Sequence, residues 1–397
     1  MEIVLVPFIC LLMVFFDRMN KKLEVIMTVE TSEDSRFDNI RPYRDDEVPA
    51  AIERIMSNED VVKQIINFQF KKLSFLSWLL KPMIRYVLRK KYGNIKTVAE
   101  LQNYVAKFME SMIKNNTDGV VFEGFEKLKP DVGYLFISNH RDIALDPALV
   151  DFGLHKNNLP TVRIAIGDNL LRRPVATDLM KLNQSFIVNR SSKGRELLKA
   201  LAELSDYIRL SLKENHSIWI AQREGRAKDG NDETDPAILK MFYMSGKKLK
   251  IPFNEYVKEL NIVPVSISYE FDPGDAGKAH ELYEKSRTGE YQKSEFEDID
   301  SIVNGITGYK GRIYVKVGDV ITDDFETPDE LAAHIDRFIH QNYHLFPSNL
   351  VAAGDDSLVS AEDKEKFACR LKGIPQPEQE FVTRYYAAPV NNSRKYS

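Results

Sequence analysis

Leu135-Phe-Ile-Ser-Asn-His-Arg-Asp-Ile-Ala-Leu-Asp-Pro147 runs from a short apolar stretch straight into a polar loop. An apolar run bounded by polar turn residues reads as a buried strand. The histidine that follows stands at the strand's mouth, with Asp142 and Asp146 close behind it in sequence. An imidazole held by a carboxylate is a base able to take a proton from a hydroxyl near neutral pH. Taken alone, His140 also fits a structural histidine at a strand end. The surrounding pattern decides between the two.

Outward from this stretch, strands alternate with helices. Tyr134–Ser138, Thr161–Ile166, Ser185–Val188, Ile218–Ala221, Val263–Tyr269 and Arg312–Val317 read as strands. Between them, Gly194–Leu212 carries Leu197, Leu198, Leu201, Leu204, Ile208 and Leu212 at helical spacing, and a further helix is expected at Pro328–Asn342. This alternation predicts an α/β fold with a mixed, largely parallel central sheet flanked by helices, over residues 119–350. Residues 47–118 read as an N-terminal helical domain, with a helix start at Ser57-Asn-Glu-Asp60 and a capping box at Thr97-Val-Ala-Glu100. Residues 351–397 are polar and interrupted by proline, and are expected to form a peripheral tail.

Composition excludes little else. The chain has 397 residues, 29% of them charged, with a net charge of -4. Its two cysteines, Cys10 and Cys369, supply neither a disulfide framework nor a metal cluster and suit a reducing cytoplasm. Residues 1–46 comprise an apolar segment and a flexible lead-in. Ile3–Phe16 is an apolar run of 14 residues broken by Pro7, shorter than the roughly 20 needed to span a bilayer. Three readings stay open for it: an anchor at the membrane interface, a short signal-anchor, or sequence upstream of a true start at Met19 or Met27.

Between Val61 and Ala99 stand nine basic residues and no acidic one: Lys63, Lys71, Lys72, Lys81, Arg85, Arg89, Lys90, Lys91 and Lys96. They alternate with Phe68, Phe70, Phe75, Trp78 and several leucines. Basic charge interleaved with large apolar side chains is the make-up of a surface that lies on anionic lipid. The competing reading is a helical hairpin packed on its neighbour with lysines in water. No nucleic-acid module accompanies the patch, so no nucleic-acid partner is expected.

Two short motifs imitate a protein kinase. His140-Arg-Asp142 and Asp151-Phe-Gly153 match its catalytic-loop and metal-binding signatures, but position 147 is proline where that loop needs a metal-holding asparagine. Only eight residues separate the two aspartates, too few for the intervening hairpin.

Other segments add cations. Gln184-Ser-Phe-Ile-Val-Asn-Arg-Ser191 is a strand ending in Arg190. Ile218-Trp-Ile-Ala-Gln-Arg-Glu-Gly-Arg-Ala-Lys-Asp-Gly230 places Arg223, Arg226 and Lys228 around Gly225. Arginine as a fork, lysine as a point charge and a glycine that lets the backbone approach can together hold a phosphate. In α/β sheets ligands gather beyond the carboxyl ends of strands, which is where His140, Arg190 and the Arg226 loop fall.

These segments resemble the four blocks of the glycerolipid acyltransferase superfamily, which includes glycerol-3-phosphate and lysophosphatidate acyltransferases. Asn139-His-Arg with Asp146-Pro147 resembles the first block, Phe186-Ile-Val-Asn-Arg190 the second, Glu224-Gly-Arg226 the third and Ile262-Val-Pro-Val265 the fourth, in the family's order. Gly311-Arg-Ile-Tyr-Val-Lys-Val-Gly318 resembles its closing strand. The sequence departs from the pattern in having five residues, not four, between His140 and Asp146, and in lacking the residue between glycine and arginine in the third block. Alignment on Asp-Pro favours Asp146 as the partner of His140, with Asp142 the other candidate.

The resemblance implies an acyltransferase that uses a thioester donor, acyl-CoA or acyl-carrier protein, as co-substrate and needs no other cofactor and no metal. It implies His140 as base and Asp146 as its orienting acid. Arg190, Arg226 and Lys228 would hold the acceptor phosphate. Glu224 would order its loop, and backbone N–H groups near Gly225 would meet the developing oxyanion. The expected acceptor is glycerol-3-phosphate, slightly favoured, or 1-acylglycerol-3-phosphate. The expected place is cytoplasmic, peripheral on the inner face of a membrane contacted through residues 61–99. Other lipid acceptors, and a catalytically impaired lipid-binding protein with the extra loop residue as its lesion, are the alternatives.

Overall fold

A computed structural model describes residues 35–70, 75–168, 171, 174–294 and 297–396. The apolar N-terminal segment, Lys71 to Ser74 of the basic–aromatic stretch and Asn169-Leu170 lie outside the described residues. In chain order the main elements are α1 (Val48–Ser57), α2 (Glu59–Gln69), α3 (Ser77–Tyr92), α4 (Val98–Asn116), β1 (Gly119–Glu123), β2 (Leu135–Ser138), α5 (Leu145–Lys156) and β3 (Arg163–Gly167). There follow α6 (Pro174–Leu182), β4 (Ser185–Val188), α7 (Gly194–Lys213), β5 (Ile218–Ala221), α8 (Pro236–Lys248), α9 (Phe253–Glu259), β6 (Ile262–Tyr269), α10 (Asp275–Thr288) and α11 (Glu297–Thr307). The chain closes with β7 (Arg312–Val317), α12 (Pro328–Asn342), α13 (Pro347–Ala352), α14 (Ala361–Lys372) and α15 (Gln379–Lys395).

The chain divides into two compact units, one of residues up to Ser111 with Thr161–Tyr207, the other of Met112–Pro160 with Ile208–Ser397. The larger unit holds five strands in the order β1-β7-β6-β2-β5. β6 and β7 are antiparallel; β1 with β7, β6 with β2, and β2 with β5 are parallel. In the smaller unit β3 and β4 form a parallel pair. The class is therefore the expected one, α/β with a mixed, largely parallel sheet flanked by helices and a helical N-terminal region.

β2 and β6 are buried along their whole length, as the unbroken apolar runs require. Phe136 is fully buried, and its truncation to alanine would cost about 3–5 kcal/mol. Pro264 sits in β6, an interior strand, where a missing N–H should be costly. Its carbonyl accepts from Gly318, so its nitrogen faces the β7 side, and the β7 ladder begins only at Val265 paired with Val317. The absent donor falls just beyond that ladder. Because β5, β2 and β6 are parallel neighbours, their carboxyl ends lie along one edge of the sheet.

The smaller unit is built around Val48, Ile55, Val62, Ile66, Ile84 and Leu88 from α1 to α3, joined by Val175 and Leu182 of α6. Asp178 of α6 ties the two parts together, accepting from Tyr43 at 2.6 Å and Arg54 at 2.7 Å. This packing draws β3 and β4 into the same unit as the helices and so cuts across the expected boundary at residue 118.

Two features differ from expectation. The expected tail is not peripheral: Val382, Tyr385, Tyr386 and Val390 recur at helical spacing on α15 and are buried. The positive charge of residues 61–99 is partly neutralised within the unit. Glu59 pairs with Lys81 and Arg85, and Glu53 pairs with Arg89. Beside the exposed Arg89 and Lys90, α3 presents an outward apolar stripe: Phe75 just before it, then Trp78, Leu79, Met83, Tyr86 and Val87, with Trp78 72% exposed. The inner stripe of the same helix is Leu80, Ile84, Leu88 and Tyr92. None of the described helices is long and apolar enough to cross a membrane.

Candidate active site

His140 leaves β2 one residue after Asn139, and Asn139 prolongs the sheet with its side chain. Its Oδ1 accepts from the Ile267 N–H at 2.8 Å and its Nδ2 donates to the Ile267 carbonyl at 2.9 Å. The amide thus supplies the next rung of the β2–β6 ladder after Ser138 opposite Val265. Trp219 of β5 adds a second brace: its Nε1 donates to Ser138 Oγ at 3.0 Å, and its ring lies edge-on to the His140 imidazole at 5.6 Å.

The imidazole Nδ1 lies 2.8 Å from Asp146 Oδ2. Asp146, in the first turn of α5, is fully buried. Its Oδ2 also accepts the backbone N–H groups of Arg141 at 2.6 Å and Asp142 at 2.9 Å, and its Oδ1 accepts from the Tyr269 hydroxyl at 2.8 Å. Donors on both oxygens hold this buried carboxylate fixed in place. Pro147 follows in the first helical turn, where no N–H is needed.

Asp142 has another task. Its Oδ1 accepts the N–H groups of Ala144 at 2.9 Å and Leu145 at 2.8 Å, closing the turn that starts α5. The extra loop residue is taken up in this turn, and Asp146 rather than Asp142 meets the histidine. Burial, reinforced by the charge of Asp146, pushes the Asp142 carboxyl up to about 6. Burial and the same charge push the Tyr269 phenol well above its ordinary range, so it stays a donor.

The loop after β5 reaches the histidine through its backbone: the Ala227 N–H donates to the His140 carbonyl at 2.9 Å. Gly225 has a φ of +76°, a left-handed conformation that any other residue would strain. Glu224 beside it is exposed. Arg226 donates to Ser301 Oγ on α11, and Lys228 pairs with Glu281 on α10, which also takes Lys285. Burial lowers the Lys228 ammonium below its ordinary value, against the pull of Glu281.

His140, Asp146, Glu224, Gly225, Arg226 and Lys228 thus lie in the larger unit, with the His140 and Arg226 loops in direct contact. Arg190 belongs to the smaller unit, where its loop is pinned by Asp168 accepting from the Arg190 and Ser191 N–H groups at 3.2 Å each. Sequence reading missed Tyr269, although it ends the strand of the fourth block. It also missed Asn139's role as a rung, and the α10–α11 pair that brings Glu281 and Ser301 to the cations.

Residues 119–268 match the family model described as Acyltransferase. Among solved structures, the 1-acyl-sn-glycerophosphate (LPA) acyltransferase PlsC from Thermotoga maritima is similar, at 14% identity and a TM-score of 0.35, covering 74% of this chain and 91% of that one. No curated protein matches the chain. The matched span begins at β1, holds His140, Asp146 and the cation loop, and ends within β6, so residues 119–268 are similar to an acyltransferase domain.

Proposed function

We propose that this protein moves a fatty acyl group from a thioester, acyl-CoA or acyl-carrier protein, to a hydroxyl of a glycerol-phosphate in phospholipid synthesis. The observation that carries this reading is the His140–Asp146 pair, with Nδ1 committed to the carboxylate and Nε2 left for a substrate hydroxyl. His140 takes the proton as the acceptor oxygen attacks the thioester carbonyl. A tetrahedral oxyanion forms, the C–S bond breaks, and the imidazolium returns its proton to the departing thiolate. Asp146 holds the tautomer and stabilises the cation. Backbone N–H groups near Gly225 meet the oxyanion. Arg226 and Lys228 hold the acceptor phosphate, fixing the nucleophile near the carbonyl.

Glycerol-3-phosphate is slightly favoured as acceptor over 1-acylglycerol-3-phosphate, on the strength of the helical N-terminal region and the loop beginning at Gly167. The enzyme works as a peripheral protein on the inner face of a membrane, docked by the outward stripe of α3. Six large apolar side chains in that stretch are exposed to nearly half or more, a patch that soluble surfaces rarely show. An impaired lipid-binding protein would need the extra loop residue to break the histidine's pairing, whereas the pair is intact at 2.8 Å.

The test is thiol release from palmitoyl-CoA and from palmitoyl-acyl-carrier protein, with each acceptor offered separately, in wild type and His140→Ala. Acceptor-dependent release that the substitution abolishes supports the reading and picks the acceptor. No release from either donor with any acceptor overturns it.

A further inference from the structure

We propose that Tyr385 on α15 is a positioning residue for the His140 loop, acting through Lys278 and Arg141; this deepens the acyltransferase reading and rests on it.

Arg141, the residue that follows His140, is held through its backbone and its side chain. The Arg141 N–H donates to the same Asp146 oxygen that holds His140 Nδ1. The Arg141 carbonyl accepts from Lys278 Nζ at 2.7 Å. The guanidinium, 1% exposed, donates to Asp232 at 2.5 Å and to the Gly230 carbonyl at 3.2 Å. It also lies against two aromatic rings, with centroids at 4.8 Å for Tyr385 and 5.3 Å for Tyr343. A desolvated cation against a ring gains more than an exposed one.

Tyr385 holds both arms of this grip. Its ring lies on Arg141, and its hydroxyl bonds Asp272 and lies 3.1 Å from Lys278 Nζ. Lys278 also pairs with Asp272, and the three side chains of Asp272, Lys278 and Tyr385 are buried. The helix bears directly on the cation loop too. Gly230 has a φ of +81°, and a Cβ there would stand 2.4 Å from the Tyr385 carbonyl oxygen. One residue of α15 therefore joins the loop that ends in His140 to the loop that carries Arg226 and Lys228. Tyr343 and Tyr385 lie outside the span matched by the acyltransferase model, so this brace is a feature of this chain's own C-terminal region.

The full chain is tested with Tyr385→Leu, which keeps apolar volume but removes ring face and hydroxyl, and with Tyr385→Phe, which keeps the ring. Val382→Ala, a buried truncation on the same helix, is the control for general loosening. Two readouts are taken below each variant's melting temperature: steady-state thiol release, and the side-chain nitrogen shifts of His140 by NMR. The expected result is a kcat lower by about tenfold or more in Tyr385→Leu with KM for the thioester within twofold. The Phe variant should regain most of that loss, and Val382→Ala should keep wild-type kcat. The His140 shifts should move in the Leu variant from a single bonded tautomer towards the averaged pattern of a solvated histidine. Wild-type kcat and unchanged His140 shifts in Tyr385→Leu overturn the proposal, as does an equal kcat loss in Val382→Ala. Should wild type release no thiol, the acyltransferase reading falls, and the histidine shifts alone decide whether Tyr385 positions the loop. Should the Leu variant not fold, Tyr385→Met, which also removes ring face and hydroxyl, is read by the same His140 shifts, and unchanged shifts there overturn the proposal.

Discussion

Tyr269 donates its hydroxyl to Asp146 Oδ1 at 2.8 Å, on the carboxylate oxygen opposite the one that holds His140. The last residue of β6 thereby sets the angle at which His140 and Asp146 meet. Tyr269→Phe should leave the fold intact and lower kcat by about tenfold, with KM for the thioester little changed. Losing a buried hydrogen bond to a charged group also costs roughly 1.5–3 kcal/mol. Steady-state kinetics and denaturant unfolding check both. An unaltered kcat would mean that the remaining three donors suffice.

His140→Ala should remove acceptor-dependent thiol release by about 10²–10⁴-fold, the usual share of a positioned base. Asp146→Asn should cost as much or more: an amide in that place sets the wrong tautomer and faces backbone N–H groups with its own donors. Circular dichroism must show both variants folded. A His140→Ala enzyme with near-normal rate excludes the imidazole as base.

Asp142 makes stability pH-dependent in a set direction. Its folded value of about 6 lies above the ordinary 3.8, so the folded chain binds a proton that the unfolded chain releases. The stabilisation from that proton is fully present below about pH 4 and is lost as pH rises through 6. Asp142→Asn keeps the acceptor for Ala144 and Leu145 but does not titrate. Its stability relative to wild type should therefore rise between pH 4 and pH 7.5, by up to about 3 kcal/mol. Paired urea melts at the two pH values read this directly, and a constant difference would show that the carboxyl titrates normally.

Lys228 is engaged by Glu281 before any acceptor arrives. Glu281→Gln should release it for a phosphate and lower the KM of a phosphorylated acceptor a few-fold, on the order of 1 kcal/mol. Lys228→Met should raise that KM. Inhibition by inorganic phosphate should follow the same order. A Glu281→Gln enzyme with unchanged KM would remove Lys228 from the acceptor site.

With Lys81, Arg85 and Arg89 paired inside the smaller unit, membrane docking should lean on apolar insertion more than on charge. Trp78→Ser and Tyr86→Ser should each weaken binding to vesicles about tenfold or more, as loss of 1.5–3 kcal/mol of burial implies. Binding should survive on neutral lipid and in 0.5 M salt, where screening cuts surface attraction to a few ångströms. Flotation assays decide, and release by salt would restore the electrostatic reading.

The parts of this molecule legible in sequence were those whose partners lie near in the chain. Asn139, His140 and Asp146 fall within one short stretch, β4 and β5 are short apolar runs with polar ends, and β7 alternates buried Ile313, Val315 and Val317 with more exposed residues. β1 was not singled out: Gly119–Glu123 is a short edge strand whose apolar run, Val120 to Phe122, is only three residues long and nowhere fully buried. The basic stretch looked unpaired because Glu53 and Glu59, which partner three of its cations, stand just upstream of it. Tyr269 and Tyr385 escaped notice for a different reason. Their contacts with Asp146 and Lys278 span 123 and 107 residues, which no local pattern records. α15 did carry a local signal, the 382, 385, 386, 390 spacing, obscured by Pro389 and a polar outer face.

The brace on Arg141 also orders events in time. Its parts come from residues 141, 278 and 385, so the loop bearing His140 closes across separations of 137 and 107 residues. Contacts this distant form late, after the loop entropy between them has been overcome. A chain emerging from the ribosome can form α1 to α3 and offer its outward apolar stripe to lipid long before α15 exists. The loop bearing His140 is thus set only after α15 has been made, later than the packing of α1 to α3.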